Sequence, residues 1–484
     1  MRNIIKNQLN NFNDNSIIHA LKLSFYVSLI IMLFGAIFSG FQIVDEFEHL
    51  HASWLVSQGL TPYRDFFEHH HPLLWYISSP IVNLFYDKAI IFYIMRLFSF
   101  ASSLVLLLYV YKLALFFTDK KGAWLAVVLT QCNIIMAYNF YQFRPDNFMN
   151  LFFLIGIYYW FYHIKNKELK QLIYSFLAFS ISVLFLQKIG LQLVVIEFLL
   201  LILIFAKKMK IKDIIIASIP AICCLAFFIF YFIIKDAGYE YFALNFRFNQ
   251  ALVYYFERGA FWKQNIIFSI YGLGLIAILY AYKKGNIYFR LVSAIYFAEF
   301  FMRCFYFAPH PNYYTLLVVL FALVLSFFSN LFFEKNKLMG MLLIICIFIN
   351  FGSIFNRLVI SSEKHNSYNH FKLADYVHKN SDKNDLIMNG YDKNFNIFRK
   401  DASYYWFGLD MLIPVMEQEF GIKKLIDINE VILSKKPKFI YTQNIIDLRA
   451  LRTYGETKYS QIFIPELLTT LYKPTPFDSL AQLK

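Results

Sequence analysis

Apolar segments of membrane-spanning length recur along most of the chain. A helix needs about 20 apolar residues to cross a bilayer, and this length gives about eleven spans before residue 357. In a water-soluble protein, this many apolar segments would expose too much apolar surface to solvent. We therefore predict a polytopic α-helical membrane protein. The predicted spans are residues 22–41, 90–117, 123–140, 147–164, 171–187, 190–206, 214–234, 265–282, 287–307, 313–333 and 338–357.

The composition of the chain supports this class. Of 484 residues, 59% are hydrophobic and 16% are charged, whereas a soluble domain carries about 25% charged residues. The net charge of +14 lies in short clusters between apolar segments, which orients membrane proteins and argues against nucleic-acid binding. The five cysteines lie in apolar stretches without metal-ligand spacing, so a disulfide framework is not expected.

The basic clusters also predict the topology. With the N-terminus inside and 23–41 as an uncleaved signal anchor, every short basic loop falls on the inner side. The longer loops and the tail then lie on the exported side, which in a bacterium is the periplasmic face of the inner membrane. We therefore predict a transmembrane domain over 1–357, with an exported first loop at 42–88, and an exported domain over 358–484.

The tail has the composition of a small soluble domain. It is polar and contains no spanning segment, and about 120 residues suffice for one core. The pattern predicts helices over 366–378 and 421–435 and strands over 385–390 and 438–443. The expected fold of the tail is α/β.

The first exported loop begins with two acids. Asp45 and Glu46 start a stretch with helical spacing of apolar residues, which predicts a helix at the membrane surface that ends near Gly59. Acids in the first turn cap helices, so capping is one interpretation. Capping explains one acid, but it explains less well the further acid and histidines at Glu48, His49 and His51.

The same loop continues with a dense polar cluster. Glu68 and His69–His71 directly precede Pro72, which favours the first turn of a second helix over 72–86. These residues are suitable as proton carriers or metal ligands. The alternative is a set of polar residues at a helix start, because the spacing is not diagnostic of a metal.

Further polar groups fall on the same predicted face. Arg144 and Asp146 follow the third span, and the alternative to a functional role is that they pair with each other across the turn. Lys188 interrupts the apolar stretch 171–206, which at roughly 54 Å is too long for one crossing. Its charge at membrane depth favours a function or a partner, although a lysine near the interface can also extend to water. Two further sites are Arg303 and the segment 309–314, which contains His310 and Tyr313.

These groups suit one kind of chemistry. Acids are suitable as a base, cations bind phosphate, and aromatic rings stack on sugars. The combination suits transfer from a lipid-linked phosphate donor whose polyprenyl chain lies in the bilayer.

The motifs also resemble a known family. Asp45-Glu46 after the first span, residues 62–76 with Glu68 and the histidines, and Arg144-Pro145-Asp146 are similar to the GT-C membrane glycosyltransferases. More narrowly, the chain resembles bacterial relatives of protein O-mannosyltransferases and of the aminoarabinose transferase of lipid A. The resemblance covers the membrane region to about residue 357, and the triple histidine departs from the commoner His-His-Pro or His-Pro-Pro pattern.

The resemblance implies an inverting transfer of a sugar from a polyprenyl-phosphate donor to a hydroxyl of a cell-envelope lipid, glycan or protein. It implies that Asp45 is the general base or positions the acceptor, and that Asp146 belongs to the second acidic motif. Catalytic residues are then expected at Asp45, Glu46 and Asp146. The donor phosphate is expected at Arg144, Lys188, His70, His71 and Arg303. The substrate is expected at Glu68, His310, Tyr313 and Trp75, with a divalent metal ion as a candidate cofactor at Glu68, His70 and His310.

Three other functions stay open at this point. A transporter or flippase of lipid-linked sugars requires polar residues along a path, often in broken helices or repeats, and few charges lie in mid-span. A polymerase or ligase of surface glycans would use the same donor chemistry. A membrane scaffold without enzymatic activity is the simplest alternative.

Overall fold

A computed structural model describes most of the chain, and clustering of contacts divides it into two units. We call Met1–Ser39, Arg96–Phe228 and Phe256–Lys364 the helical unit, and Gly40–Met95, Ile229–Tyr255 and His365–Lys484 the loop unit. The described residues are 14–40, 43–251, 271–279, 282–305, 311–335, 337–356, 358, 367–389, 396–406, 428–441, 467, 470–477 and 480–484.

Helices dominate both units. Short 3₁₀ or π turns occur at Gln187–Ile189, Ala243–Phe248, Pro311–Tyr314 and Leu331–Lys335, and residues 271–279 are also helical. The labelled helices are α1 Asp14–Phe38, α2 Ile43–Ser57, α3 Leu73–Leu84, α4 Ile91–Ala114, α5 Lys120–Gln131, α6 Ile134–Asn139, α7 Pro145–Asn166, α8 Leu169–Phe185, α9 Gly190–Phe205, α10 Ile211–Ile234, α11 Gly238–Phe242, α12 Ile287–Phe305, α13 Thr315–Ser326, α14 Lys337–Phe355, α15 Ser367–Lys379 and α16 Ile428–Lys435.

Five helical segments among the described residues are long and apolar enough to cross a membrane. They are Asn15–Phe38, Ile91–Ala114, Gln187–Phe205, Ile211–Ile234 and Leu338–Phe355, and Leu73–Leu84, Leu169–Phe185 and Asn312–Ser326 are shorter apolar helices. The chain is therefore an integral membrane protein with apolar helices of spanning length.

The expected count of eleven spans is not confirmed, and local breaks explain part of the difference. The expected span 123–140 divides into α5 and α6 because the Asn133 side chain accepts a hydrogen bond from Ile135 N and starts a new helix. Helix α8 has 17 residues, or roughly 26 Å of rise, which is short for a crossing. The expected span 265–282 falls partly outside the described residues.

In the helical unit, α7 packs along α8, α12 packs on α13, and α5 contacts both α1 and α13. The α7–α8 contact is close at Gly156, where an added Cβ would lie 2.4 Å from the Phe179 ring. Ser175 Oγ donates to Gly156 O at 2.8 Å across the same contact. A glycine is therefore required there for the two helices to approach.

A buried arginine closes the end of α1 in the same unit. Arg96 is fully buried and its Nη1 donates to Ala36 O and Ser39 O, both at 2.8 Å. The carbonyls at the end of a helix lack intrahelical donors. Arg96 supplies them, and its guanidinium lies 5.2 Å from the Tyr141 ring centroid.

In the loop unit, the two helices expected in the first loop are both present as α2 and α3. They pack on each other, and Ser53 Oγ and Ser78 Oγ lie 2.7 Å apart in their buried interface. Gly59, with φ +82°, follows the end of α2, as expected. Such a φ is accessible to glycine without strain.

The described residues of the C-terminal part of the loop unit form five strands: β1 Leu386–Asn389, β2 Lys400–Asp401, β3 Phe439–Tyr441, β4 Tyr472–Pro474 and β5 Leu480–Leu483. They form one sheet in the order β2-β1-β3-β5-β4. Strands β1 and β2 and strands β1 and β3 are parallel, whereas β5 is antiparallel to β3 and β4. The expected helix 366–378 and both expected strands are confirmed; helix 421–435 is described only from residue 428.

The sheet carries a small apolar core. Ile387, Phe439 and Ile440 are fully buried, as are Ala374 and Val377 on one face of α15. The predicted domain boundary at 357/358 stays a prediction.

Candidate active site

The loop between α2 and α3 has a tight turn at Tyr63. This residue has φ +70°, which is uncommon for a bulky side chain and is maintained by surrounding contacts. Tyr63 N donates to Phe66 O at 3.0 Å, and the buried Tyr63 hydroxyl donates to His70 O at 2.6 Å. The turn thus fixes the backbone on both sides of Glu68.

Two acids and two histidines meet beside this turn. Ligand atoms of Glu48, Glu68, His69 and His70 all lie within 4.8 Å of one another, and we call these four residues the acid–histidine cluster. His70 Nδ1 lies 3.3 Å from Glu48 Oε1 and 3.6 Å from Glu68 Oε2. Glu68 is fully buried and Glu48 is 6% exposed, so water screens these charges little.

Burial shifts the protonation of the cluster. Burial, followed by the charge of the nearby Glu48 carboxylate, raises the pKa of Glu68 to about 8. Burial alone would lower the pKa of His70, but the carboxylates of Glu48 and Glu68 outweigh it and raise this pKa to about 10. Burial, followed by the charge of His70, holds the pKa of His69 well below its ordinary value. Near neutral pH, His70 is therefore charged and His69 is neutral.

The cluster has the donor set of a divalent metal site. Glu68 Oε1 is buried and makes no hydrogen bond to any described residue, which is costly for a carboxylate oxygen. Two carboxylates and two imidazoles suit Zn²⁺ or another first-row divalent ion. The donor set therefore fits a metal. Of the expected ligands, Glu68 and His70 lie in the cluster, whereas His310 lies outside the described residues.

The two acids at the start of α2 differ in exposure. Asp45 is half-buried, whereas Glu46 is fully buried. Both lie in the first turn of α2, where negative charge is favoured by the helix dipole. Asp45 is thus the more accessible acid of this pair.

Two further expected site residues of the loop, Trp75 and His71, make contacts within the protein. Trp75 is fully buried and its Nε1 donates to His49 Nδ1 at 3.2 Å, so its ring faces protein on all sides. The His71 ring stacks on the Tyr241 ring with centroids 5.5 Å apart. The binding of substrate by Trp75 and of donor phosphate by His71 stay predictions.

The C-terminal part of the loop unit reaches the same turn. Trp406 Nε1 donates to Phe67 O at 2.8 Å, Phe67 N donates to Tyr404 O at 3.0 Å, and the Tyr404 hydroxyl donates to Tyr63 O. These bonds hold the residue directly before Glu68. We call Tyr404 and Trp406 the Phe67 bracket.

A buried histidine also ties α2 to the sheet. His51 Nε2 lies 2.5 Å from Asp401 Oδ2, and both side chains are at most 6% exposed. His51 Nδ1 lies 3.0 Å from Ile397 O, so both ring nitrogens are engaged within the protein. His51 is therefore a structural residue.

A second charged cluster lies in the helical unit. Arg144 precedes α7, Pro145 occupies its first turn, and Asp146 follows. Asp146 Oδ1 accepts a hydrogen bond from Lys188 Nζ, and Asp146 Oδ2 lies 3.4 Å from Arg144 Nε. Lys188 lies in the 3₁₀ turn between α8 and α9, at the expected break.

The same cluster includes Arg303. Arg303 Nε lies 2.7 Å from Glu299 Oε1, and Gln192 Nε2 donates to Glu299 Oε2. Lys188 and Arg303 line one small cavity with Gln192 and Tyr313, and Lys188 Nζ lies 4.4 Å from the Tyr313 ring centroid. We call Arg144, Asp146, Lys188, Glu299 and Arg303 the cation cluster, which has three cations and two carboxylates.

The sequence interpretation missed several of these residues. The sequence assigns no role to Glu48. His69 is a candidate ligand or proton carrier with its neighbours but not one of the expected site residues, and Glu299 and Gln192 are not among the candidates. Glu299 could have been found, since it is an acid in an apolar helix four residues before Arg303, which places both on one helix face. The expected convergence of Arg144, Asp146, Lys188, Arg303 and Tyr313 is present within the helical unit.

Comparison with known proteins finds a similarity in the central region. Residues 69–233 match the family of dolichyl-phosphate-mannose-protein mannosyltransferases. This match confirms the expected resemblance over about a third of the chain. Together with the apolar helices, it indicates a membrane glycosyltransferase of the GT-C type. No curated protein matches the chain.

Proposed function

We propose that the protein transfers a sugar from a polyprenyl-phosphate donor to a hydroxyl group of a cell-envelope lipid, glycan or protein, with inversion, on the exported side of the membrane. The observation that carries this proposal is the surplus of positive charge in the cation cluster. Three cations and two carboxylates sit among apolar helices, where an uncompensated charge is costly. A phosphate group supplies the missing negative charge, and the matched family is described by a lipid-phosphate sugar.

The donor phosphate binds at Lys188 and Arg303 in this proposal, with Arg144 adjacent. All three side chains are at most 22% exposed, so their charges act in a medium of low dielectric constant. Positive groups fixed beforehand stabilise the charge that develops on a leaving phosphate. Tyr313 keeps Lys188 at the cavity by contact with its ring.

Asp45 is the proposed base. The acceptor hydroxyl oxygen attacks the anomeric carbon, the bond from that carbon to the phosphate oxygen breaks, and the acceptor proton passes to the Asp45 carboxylate. Polyprenyl phosphate leaves with the electron pair of the broken bond. The exposure of Asp45 supports this role, because the buried Glu46 is less accessible to an acceptor.

A divalent ion at the acid–histidine cluster is part of the proposal. Glu48, Glu68, His69 and His70 would hold it, and a bound ion supplies positive charge for an anionic oxygen. His71, Trp75 and His310 are proposed to shape the substrate site.

The test is the Asp45→Asn variant in isolated membranes. We expect transfer from a radiolabelled polyprenyl-phosphate sugar to fall at least about 100-fold, the lower limit for loss of a general base, with normal membrane insertion. The measurements are labelled glycan and free polyprenyl phosphate. A transporter of lipid-linked sugars would release no free polyprenyl phosphate.

Asp375→Asn is the matched control. Asp375 pairs with Lys379 on the exposed face of α15, so its loss removes one carboxylate from the loop unit without touching the site. Full transfer by Asp45→Asn would refute the role of Asp45, and release of no polyprenyl phosphate by the unmodified protein would refute the transferase.

A further inference from the structure

An open cavity of about 320 Å³ lies in the helical unit. It is at the opposite ends of α7 and α12 from the residues of the cation cluster. It lies at the end of α4, the end of α7 and the start of α12. Its lining includes two lysines, Lys112 and Lys165, and an aromatic wall of Phe116, Tyr158, Tyr162 and Tyr288.

The aromatic wall is continuous. The Phe116 ring centroid lies 4.9 Å from that of Tyr288 and 5.9 Å from those of Tyr158 and Tyr162. The backbone at Phe116 is held by Asn286 Nδ2, which donates a hydrogen bond to Phe116 O at 2.8 Å. The cavity therefore has walls that are built by packing between three helices.

The charge in the cavity is positive. No carboxylate is among the lining residues, and neither Lys112 nor Lys165 has an ion pair with a described residue. The nearby acids are engaged elsewhere, since Asp119 pairs with Lys121 and Glu168 pairs with Lys170. Lys112 instead lies over aromatic rings, 5.0 Å from the Tyr109 centroid and 5.5 Å from the Tyr158 centroid.

The rim of the cavity is apolar on one side. Leu115 lines it and is 43% exposed, and Leu108, seven residues earlier on α4, is 48% exposed. Residues seven apart lie on the same helix face. An apolar strip thus leads along a membrane-length helix to a pair of cations, which is the arrangement that a lipid with an anionic headgroup requires.

We propose that this cavity binds the phosphate-containing headgroup of an anionic membrane lipid, with Lys112 and Lys165 on the phosphate, the tyrosine rings around the headgroup, and an acyl chain along Leu108 and Leu115. This site goes beyond the proposed transfer reaction, because none of its residues belongs to either charged cluster. The lipid is a structural ligand that joins α4, α7 and α12.

The test measures thermal unfolding of the purified protein in detergent with added phosphatidylglycerol, phosphatidylcholine or inorganic phosphate. Phosphatidylglycerol should raise the Tm, and phosphatidylcholine should have little effect. The variant Lys112→Gln/Lys165→Gln should lose most of this rise, whereas Lys112→Arg/Lys165→Arg should keep it. Native mass spectrometry should find fewer bound phosphatidylglycerol molecules on the glutamine variant.

The matched control is Lys207→Gln/Lys208→Gln. These lysines follow the end of α9, so they share the interaction of a cation with a helix C-terminus but do not line the cavity. The control variant should keep the full rise in Tm. An equal loss in both glutamine variants would mean that bulk charge attracts the lipid, and an equal rise with inorganic phosphate would mean that the ligand is soluble; either result overturns the proposal.

Discussion

The cation cluster and the acid–histidine cluster are both largely buried, but they compensate their charges differently. In the cation cluster, Asp146 and Glu299 each face at least one cation at ion-pair distance. In the acid–histidine cluster, two carboxylates share His70, and a buried oxygen of Glu68 makes no hydrogen bond to the described residues.

This difference predicts the charge of the ligand that each cluster suits. Buried charges require a partner of opposite sign. Among the described residues, the cation cluster has three cations against two carboxylates and suits an anion. The acid–histidine cluster has two carboxyl groups that share His70, and it suits a cation that displaces the protons of its ligands.

The largest expected effect comes from the Asp146–Lys188 pair. Asp146→Asn removes the carboxylate that faces Lys188, which costs about 3–5 kcal/mol of unfolding free energy. Lys188→Gln should cost less, because Asp146 keeps Arg144 at ion-pair distance. The double variant should be more stable than Asp146→Asn, because the buried charge of Lys188 is removed as well. Transfer should stay at least about 100-fold low in the double variant, since a positive group for the phosphate is lost.

Chemical unfolding measures the stability of these variants, and the labelled-sugar assay measures their transfer activity. The exposed pair Asp375 and Lys379 is the control, and its double neutralisation should change stability by at most about 1 kcal/mol. If the double variant at Asp146 and Lys188 regains transfer together with stability, then the pair is structural only, and the cation cluster loses its proposed role.

The next effect concerns the acid–histidine cluster. Glu68→Gln should weaken the binding of Zn²⁺ or Mn²⁺ more than about 100-fold, beyond the 10- to 100-fold typical for residues that only orient a ligand. His71→Gln is the matched control for metal content, because His71 packs on Tyr241 and is not among the four ligands. Metal content by elemental mass spectrometry and transfer after chelation are the measurements. Equal metal content in both variants would remove the metal from the proposal.

Proton competition sharpens this test. A metal ion must displace the protons of its ligands. The pKa of Glu68 is about 8 and that of His70 about 10. Binding of the metal ion therefore displaces two protons from these residues below pH 8 and one proton between pH 8 and 10. Affinity should therefore rise with pH, by roughly 100-fold per unit below 8 and roughly tenfold per unit above it. In Glu68→Gln the slope below 8 should fall to roughly tenfold.

Contacts between neighbours in the sequence were the predictable part of the fold and site. The helices of the first loop follow from apolar spacing, Gly59 and Pro72, and the Lys188 break follows from the excessive length of the apolar stretch. The Arg144–Asp146 pair follows from a spacing of two residues. These features depend on local geometry, which the sequence specifies directly.

Long-range partners could not be predicted in the same way. Nothing local links Glu48 to Glu68 or Phe67 to Trp406, because these pairs depend on how distant segments pack. The number of spans could not be predicted from the sequence either, because the division between α5 and α6 depends on whether Asn133 caps a helix or lies within one. Apolar composition is compatible with both outcomes.

The smallest expected effect tests the Phe67 bracket. Trp406→Phe removes the hydrogen bond from Nε1 to Phe67 O and keeps an aromatic ring. The free energy of unfolding should therefore fall by about 0.5–1.5 kcal/mol. If this bond positions Glu68, metal affinity should fall by roughly 2- to 12-fold, less than in Glu68→Gln. Tyr405→Phe is the control, because the Tyr405 ring lies 5.5 Å from the Phe67 ring and the substitution keeps that contact. A lower Tm with unchanged metal affinity in Trp406→Phe would show that the bracket stabilises the loop unit without positioning the cluster.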